Sequence, residues 1–237
     1  DEAAPEHPIK LTHRSGHACV LNSLALRLAH IHEETPEPSG ALFERDLETG
    51  QLTGLLFGME RYLEGKVLPP LSRAELASGA RLASRECLSH GVTAVHDATD
   101  SNTVEDWRTF SSLREEGALL PRLTMMLGVH ALEPAAEQGL GHGSGDARLR
   151  LGYAKVMLDE TTGRLQPPPQ ELASLVVRAQ AQGWPVAIHA IEEPAITAAL
   201  DALEVAQKVS PNTLRRHRLE HCSVCPPGLL SRLARVR

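Results

Sequence analysis

The chain has 237 residues, 42% of them hydrophobic but only 3% aromatic, so Leu, Ala and Val have to fill whatever core it builds. Its 30 acidic and 24 basic residues give a net charge of −6 with no basic block, which leaves no electrostatic footprint for nucleic acid or an anionic membrane surface. No apolar run is long enough to span a bilayer, no secretory signal opens the chain, and four cysteines at this length do not make a disulfide scaffold.

The opening "DEAAPEHP" carries no initiator Met and reads as the processed start of a longer, cytoplasmic gene product with reduced thiols. Residues 1–66 read as an irregular, cap-like segment, rich in Gly, Pro and charge, with one short helix expected at "NSLALRLAHI" (22–31). From 67 to 237 the texture is regular. Ser72 and Glu75 form an S-x-x-E capping box, and the helix it opens runs to about His90, with Gly91 as its stop. A short strand "VTAVHD" (92–97), a helix "TVEDWRTFSSLREE" closed by Gly117, and a strand "RLTMMLGVH" (122–130) follow. A Gly-rich loop leads to "RLGYAKVMLDE" (150–160). Helix "QELASLVVRAQAQ", strand "PVAIH", helix "EPAITAALDALEVAQK", strand "RHRLEH" and helix "PGLLSRLARV" complete the order.

Strands alternating with amphipathic helices specify β/α units and a parallel sheet. The strands are nearly continuous apolar runs, as burial on both faces demands. The expected parallel neighbours are residues 92–96, 122–127, 151–158, 185–189 and 217–221. No G-x-G-x-x-G follows the first of them, which counts against a dinucleotide-binding sheet, and no phosphate-binding loop signature occurs. Polar residues gather at strand ends: His96, Asp97, His130, Asp159, His189 and His221. In a (β/α)8 barrel the site lies at the C-terminal ends of the strands, and open doubly wound sheets keep ligands there too.

Side chains alternate along a strand, so Tyr153, Lys155, Met157 and Asp159 share one face and Ala154, Val156 and Leu158 the other. The aliphatic face belongs against helices. Lys155 then points inward, where an unpaired ammonium is costly. Two readings stay open: an ion pair with Asp159 or another acid, or a carboxylated lysine whose carbamate ligates two metal ions. His189, in phase with Ala187, and His221, in phase with Leu219 and His217, are both read as inward; each is either a core histidine or a metal ligand. Cys222 and Cys225 form a lone C-x-x-C, but Pro226 and Pro227 follow and no second pair exists, so redox or structural-zinc chemistry is a distant alternative.

The order of an inward Lys, then a His, then "EH" on successive strands resembles the amidohydrolase superfamily. Segments "HPIKLTHRSGHACVLNSLAL" (7–26), "SGALFERDLETGQLTGLL" (39–56), "HGVTAVHDAT" (90–99), "AKVMLDE" (154–160), "PVAIHAI" (185–191) and "RHRLEH" (216–221) resemble its family 3, the metal-dependent hydrolases that include formamide deformylases. The resemblance implies an α/β fold, a TIM-like (β/α)8 barrel that is incomplete here, with the regions of strands one and eight absent. It implies one or two divalent ions, usually zinc, held by Lys155 as a carboxylated bridging ligand and by His189 and His221. It implies hydrolysis of amide-like, non-peptide carbon–nitrogen bonds in a small molecule by metal-activated water. His17, in "SGH", with His96 and Asp159, would face the substrate. The sequence also departs from the pattern. The H-x-H pair of strand one is expected before residue 1 and the strand-eight Asp beyond Arg237; "HAIGD" reads "HAIEE" at Glu192 and Glu193, and "DGS" reads "DET" at Asp159 to Thr161. An open-ended sheet bares unpaired edges, so the chain is expected to associate with itself or to lean on missing segments. The competing reading is a non-catalytic barrel fragment or pseudoenzyme that binds a ligand or partner without turnover.

Overall fold

The computed structural model describes residues 1–14, 16–38, 40–59, 62–63, 71–160, 163–211 and 216–236. Ser15, Thr161, Arg237 and the boundary expected at 66–67 lie outside the described residues. Contacts divide the chain into two units, Asp1–Leu71 with Glu160–Arg164, and Ser72–Asp159 with Leu165–Arg237.

The first unit is built on short strands that the sequence reading passed over as irregular. Strands β1 (Lys10–Thr12), β2 (Ala18–Leu21), β3 (Leu42–Arg45) and β4 (Leu52–Phe57) form an antiparallel sheet in the order β1-β2-β4-β3. Alternation sends Cys19, Leu21, Phe43 and Leu56 into a core with Ala25, Ala29 and Ile31, while Val20 and Leu42 remain exposed. The Gly- and charge-rich stretch at 46–51 is a hairpin turn. Asp46 accepts backbone N–H bonds from Glu48 and Thr49, and Gly50 takes the left-handed conformation (φ 72°) that closes the turn. Helix α1 (Ser23–Leu28) follows β2, opened by Asn22, whose side-chain oxygen accepts the Ala25 N–H at 3.0 Å.

In the second unit both opening helices start on capping boxes. Ser72 and Glu75 cap α2 (Arg73–Ser89), and Thr103 and Asp106 cap α3 (Val104–Glu115). Strands β5 (Ala94–Asp97), β6 (Arg122–Gly128), β7 (Leu149–Met157), β8 (Val186–Ala190) and β9 (Arg218–His221) are all parallel and lie side by side in sequence order. Helix α4 (Leu132–Glu137), in a stretch the sequence reading left unassigned, follows a 3₁₀ turn at Val129–Ala131. Helices α5 (Pro169–Ala181), α6 (Glu193–Val209) and α7 (Pro227–Arg235) alternate with the last strands. Ala154, Val156, Val186 and Ile188 pack one sheet face against Leu172, Val176, Ala195 and Leu203 of α5 and α6.

The strand order never reverses, so the sheet has no topological switch point of the doubly wound kind. It is also strongly curled. Arg218 on edge strand β9 places Nη1 3.2 Å from Nδ1 of His96 on the opposite edge strand β5. Across a flat sheet, four strand spacings would hold those backbones roughly 19 Å apart. The face away from the helices is therefore the inside of a trough. No helix among the described residues is long and apolar enough to cross a membrane.

Candidate metal centre

The trough's inner surface follows from strand register. Lys155 on β7 is level with Gly128 on β6 and Ala187 on β8; Ala187 is level with Arg218 on β9, and His189 with Met157 and Glu220. Level residues on parallel strands point the same way. Ala154, Val156 and Leu158 lie in the helix-facing core, so Lys155, His189, Arg218 and Glu220 line the trough.

Lys155 is 3% exposed. Burial pushes its ammonium below the usual lysine range; Glu220 and then Asp100 oppose that shift, and Arg218 reinforces it. The carboxylates acting on Lys155 are Glu220 and Asp100, within the range of acids the sequence left open beside Asp159. Asp159 closes the base of the following loop, exchanging backbone hydrogen bonds with Gln166 at 2.7 and 2.9 Å.

His189 is 8% exposed near the C-terminal end of β8. His221 reaches it by a different route from the one its strand phase suggests. Alternation groups His221 with Leu219, and Leu219 packs against the helix-side core. The backbone breaks the alternation: His221 and Cys222 both take left-handed conformations, φ 70° and 51°. The turn is held by Cys222 N–H on the Ala190 carbonyl and Val224 N–H on that of Ile191, each at 2.9 Å. The His221 ring then meets His189 edge-on, centroids 4.6 Å apart at 70°. Consecutive left-handed non-glycine residues cost on the order of 1 kcal/mol or more each, and such strain collects at functional sites. His217 faces elsewhere, its Nδ1 accepting the Val186 N–H at 3.2 Å.

Two imidazoles sharing one tetrahedral zinc at about 2.0–2.1 Å have ring centres roughly 5 Å apart, so the His189–His221 spacing suits a common ion. Among the described residues no three His, Cys, Asp or Glu side chains converge as a ready metal cluster. Among the described residues, strand register offers Lys155, on the same face two residues before the position level with His189, as a further donor, and a lysine can ligate only once its proton is gone. A buried carboxylate oxygen sits beside it: Glu220 Oε1 lies 2.9 Å from Arg218 Nε, out of line for a hydrogen bond, and among the described residues no donor is aimed at it.

The loop after β5 supplies the second carboxylate. Asp97 accepts the Thr99 N–H at 2.9 Å and the Asn102 amide at 3.1 Å; the same amide donates to the Met126 carbonyl at 2.9 Å. This folds the loop over the end of β6, where an added Cβ on Gly128 would overlap the Asp100 carbonyl oxygen. Because Gly128 is level with Lys155, Asp100 is brought alongside the lysine. His96 lines the trough, while His17 belongs to the other unit, half-buried just before β2, its carbonyl accepting the Gly58 N–H at 3.0 Å. The sequence reading thus missed Arg218, Glu220 and Asp100. The first two were signalled by the period of two in "RHRLEH", but only once Leu219 is assigned to the helix side.

Fold and site together define a β/α protein with a polar, histidine-bearing cluster at the C-terminal ends of sequentially ordered parallel strands. The chain belongs to the amidohydrolase family, whose pattern matches residues 1–237. It is 28% identical over 254 residues to YtcJ of Bacillus subtilis, an alignment covering 100% of this chain and 47% of that one. Against the N-substituted formamide deformylase of Arthrobacter pascens it is 30% identical over 267 residues, 99% of this chain and 47% of the deformylase. The crystal structure of an uncharacterized metal-dependent hydrolase from Pyrococcus horikoshii OT3 superposes with a TM-score of 0.71 at 22% identity, over 99% of this chain and 48% of that one. The chain spans about half the length of the curated relatives it matches.

Proposed function

We propose that the protein is a metal-dependent hydrolase of amide-like carbon–nitrogen bonds in small molecules, and that its five parallel strands are part of a TIM-like (β/α)8 barrel. The observation that carries this reading is the His189–His221 ring pair beside the buried Lys155. Family membership, the deformylase relative and the metal-dependent hydrolase fold neighbour support it.

In this reading His189 and His221 hold a divalent ion, zinc by the preference of that ion for imidazole nitrogen. Lys155 acts as a carbamate. Its neutral amine attacks the carbon of carbon dioxide, the N–C bond forms, one C–O π pair moves onto oxygen, and the amine proton leaves to water. Burial favours the step because it penalises the competing ammonium. When bound, the ion supplies a polarised substrate carbonyl and a water of lowered pKa. The protein's own residues keep the arrangement in place: β8 fixes the His189 ring, the left-handed turn aims His221, and the Asp97–Asn102 loop closes the side of Lys155. His17, His96 and Asp159 remain candidates for contact with substrate. Four cysteines at this length, too few for a disulfide scaffold, support a cytoplasmic location. Further barrel strands, or a second copy, would pair with the edge strands β5 and β9.

A second reading, ligand binding without turnover, draws on Glu220: a carboxylate acting on Lys155 also suits a permanently charged ammonium. The two separate on one comparison. The full-length protein purified with bicarbonate is expected to carry one or two divalent ions and hydrolyse N-substituted formamides. Lys155→Ala is expected to lose both, with partial rescue by short-chain carboxylic acids. A Lys155→Ala protein with undiminished metal and turnover would overturn the assignment.

A further inference from the structure

Arg218 holds three groups at once. Its Nη1 lies 3.2 Å from His96 Nδ1, its Nε and Nη2 lie 2.9 and 3.3 Å from the two oxygens of Glu220, and its guanidinium sits 5.2 Å from the centre of the Tyr153 ring. A guanidinium has only donors and keeps its proton. At the contact with His96 the imidazole Nδ1 must therefore be the acceptor. An imidazole that accepts through Nδ1 carries its one proton on Nε2 and is neutral. The electrostatics agree. Burial first, then the charges of Arg218 and Arg150, hold His96 below the usual histidine range, with Glu220 opposing them. His96 as a residue is nevertheless exposed, which leaves room for a ligand beside it.

We propose that Arg218 is a positioning residue that locks His96 in the neutral Nε2–H tautomer, and that this N–H donates a hydrogen bond to the carbonyl oxygen of the substrate. A neutral donor brings no charge of its own, which suits the uncharged oxygen of an amide better than a carboxylate. The amide as ligand rests on the hydrolase reading above; the locked tautomer does not. The geometry that makes the contact is the curl of the sheet, since only a trough brings β9 within reach of β5.

Histidine-selective ¹⁵N NMR of the full-length protein at neutral pH tests this, with His96→Gln used to assign the signal. The expected wild-type spectrum has an unprotonated Nδ1 and a protonated Nε2 at His96. Arg218→Gln should give the averaged shifts of two exchanging tautomers, and Arg218→Lys, which keeps one donor, should retain part of the bias. Formamide, added as the probe, should shift Nε2 in the wild type and bind about three- to tenfold more weakly to Arg218→Gln, the range of one neutral hydrogen bond. A protonated Nδ1 or an imidazolium in the wild type would overturn the proposal whether or not the variant folds. So would an Arg218→Gln spectrum and formamide affinity identical to wild type. Absence of metal from a wild-type protein that keeps the tautomer and binds formamide would count against the hydrolase reading and leave the positioning role standing.

Discussion

At His221 the backbone adopts a conformation that an L-residue resists, and the reward is a ring placed against His189. The strain makes a measurable prediction. Removing the imidazole by His221→Gly frees the left-handed turn, whereas His221→Ala keeps the steric penalty. The glycine variant should be more stable than the alanine variant by about 1 kcal/mol, read from denaturant unfolding, although both lose the ligand. Equal stabilities would mean that the turn is not left-handed in solution. This residue also marks where the sequence stops being legible. Alternation in "YAKVMLD" correctly set Lys155 opposite Ala154 and Val156, because β7 is regular there. The same rule applied to "RHRLEH" assigns His221 to the helix side with Leu219, and only the φ of 70° undoes that; no period reveals a conformational break. Glu220 and Arg218 were recoverable from that period, whereas Asp100 was not, since its place beside Lys155 depends on a loop crossing another strand.

Among the elements, the loop between β5 and α3 is the most specifically built. Asn102 is 6% exposed and its amide bridges Asp97 to the Met126 carbonyl. Asn102→Ala leaves a buried carbonyl without its donor, a loss of about 1–3 kcal/mol. Gly128→Ala forces a Cβ against the Asp100 carbonyl oxygen, an overpacking of similar size. Both should lower the melting temperature and, by shifting Asp100, disturb Lys155. A full-length Gly128→Ala protein with wild-type melting temperature would show that the loop does not lie on β6. The helices were easier to anticipate than this loop. Ser72 with Glu75 announces its box in the sequence, and Gly91, Gly117 and Gly183 follow the helix ends at positive φ. The strands of the first unit escaped notice because they are three to six residues long and set among turn residues.

For the molecule as a whole, hydrogen bonds to carboxylates set the response to acid. Those to Glu75 from Ser72, to Asp146 from Arg148 and Leu149, and to Glu204 from Arg232 hold these carboxyls below their ordinary values of 4.5, 3.8 and 4.5. A carboxyl with a lowered folded-state pKa stabilises the fold above its ordinary pKa and loses that contribution as pH falls through the folded value. Thermal stability should therefore begin to fall as pH drops below 6.5, where the unfolded chain protonates His96 more readily than the fold does, and decline further below about pH 4 as these carboxyls protonate. A decline already complete at pH 5 would point to other groups. The parallel strand order was legible from β/α alternation alone, whereas the curl was expected only through the family resemblance; it is seen in a contact between the first and last strands of the sheet, which no local pattern encodes. That curl brings His96 of β5 toward the surface that already carries Lys155, His189 and Glu220 by strand register.

The most direct test of that centre is anomalous X-ray diffraction at the zinc edge from crystals of the full-length protein grown with zinc and bicarbonate. The account predicts a peak about 2.0–2.1 Å from a ring nitrogen of both His189 and His221, with branched carbamate density extending Lys155 toward it. Zinc bound elsewhere, or an unbranched Lys155 held by Glu220 with no ion between the two histidines, would contradict it.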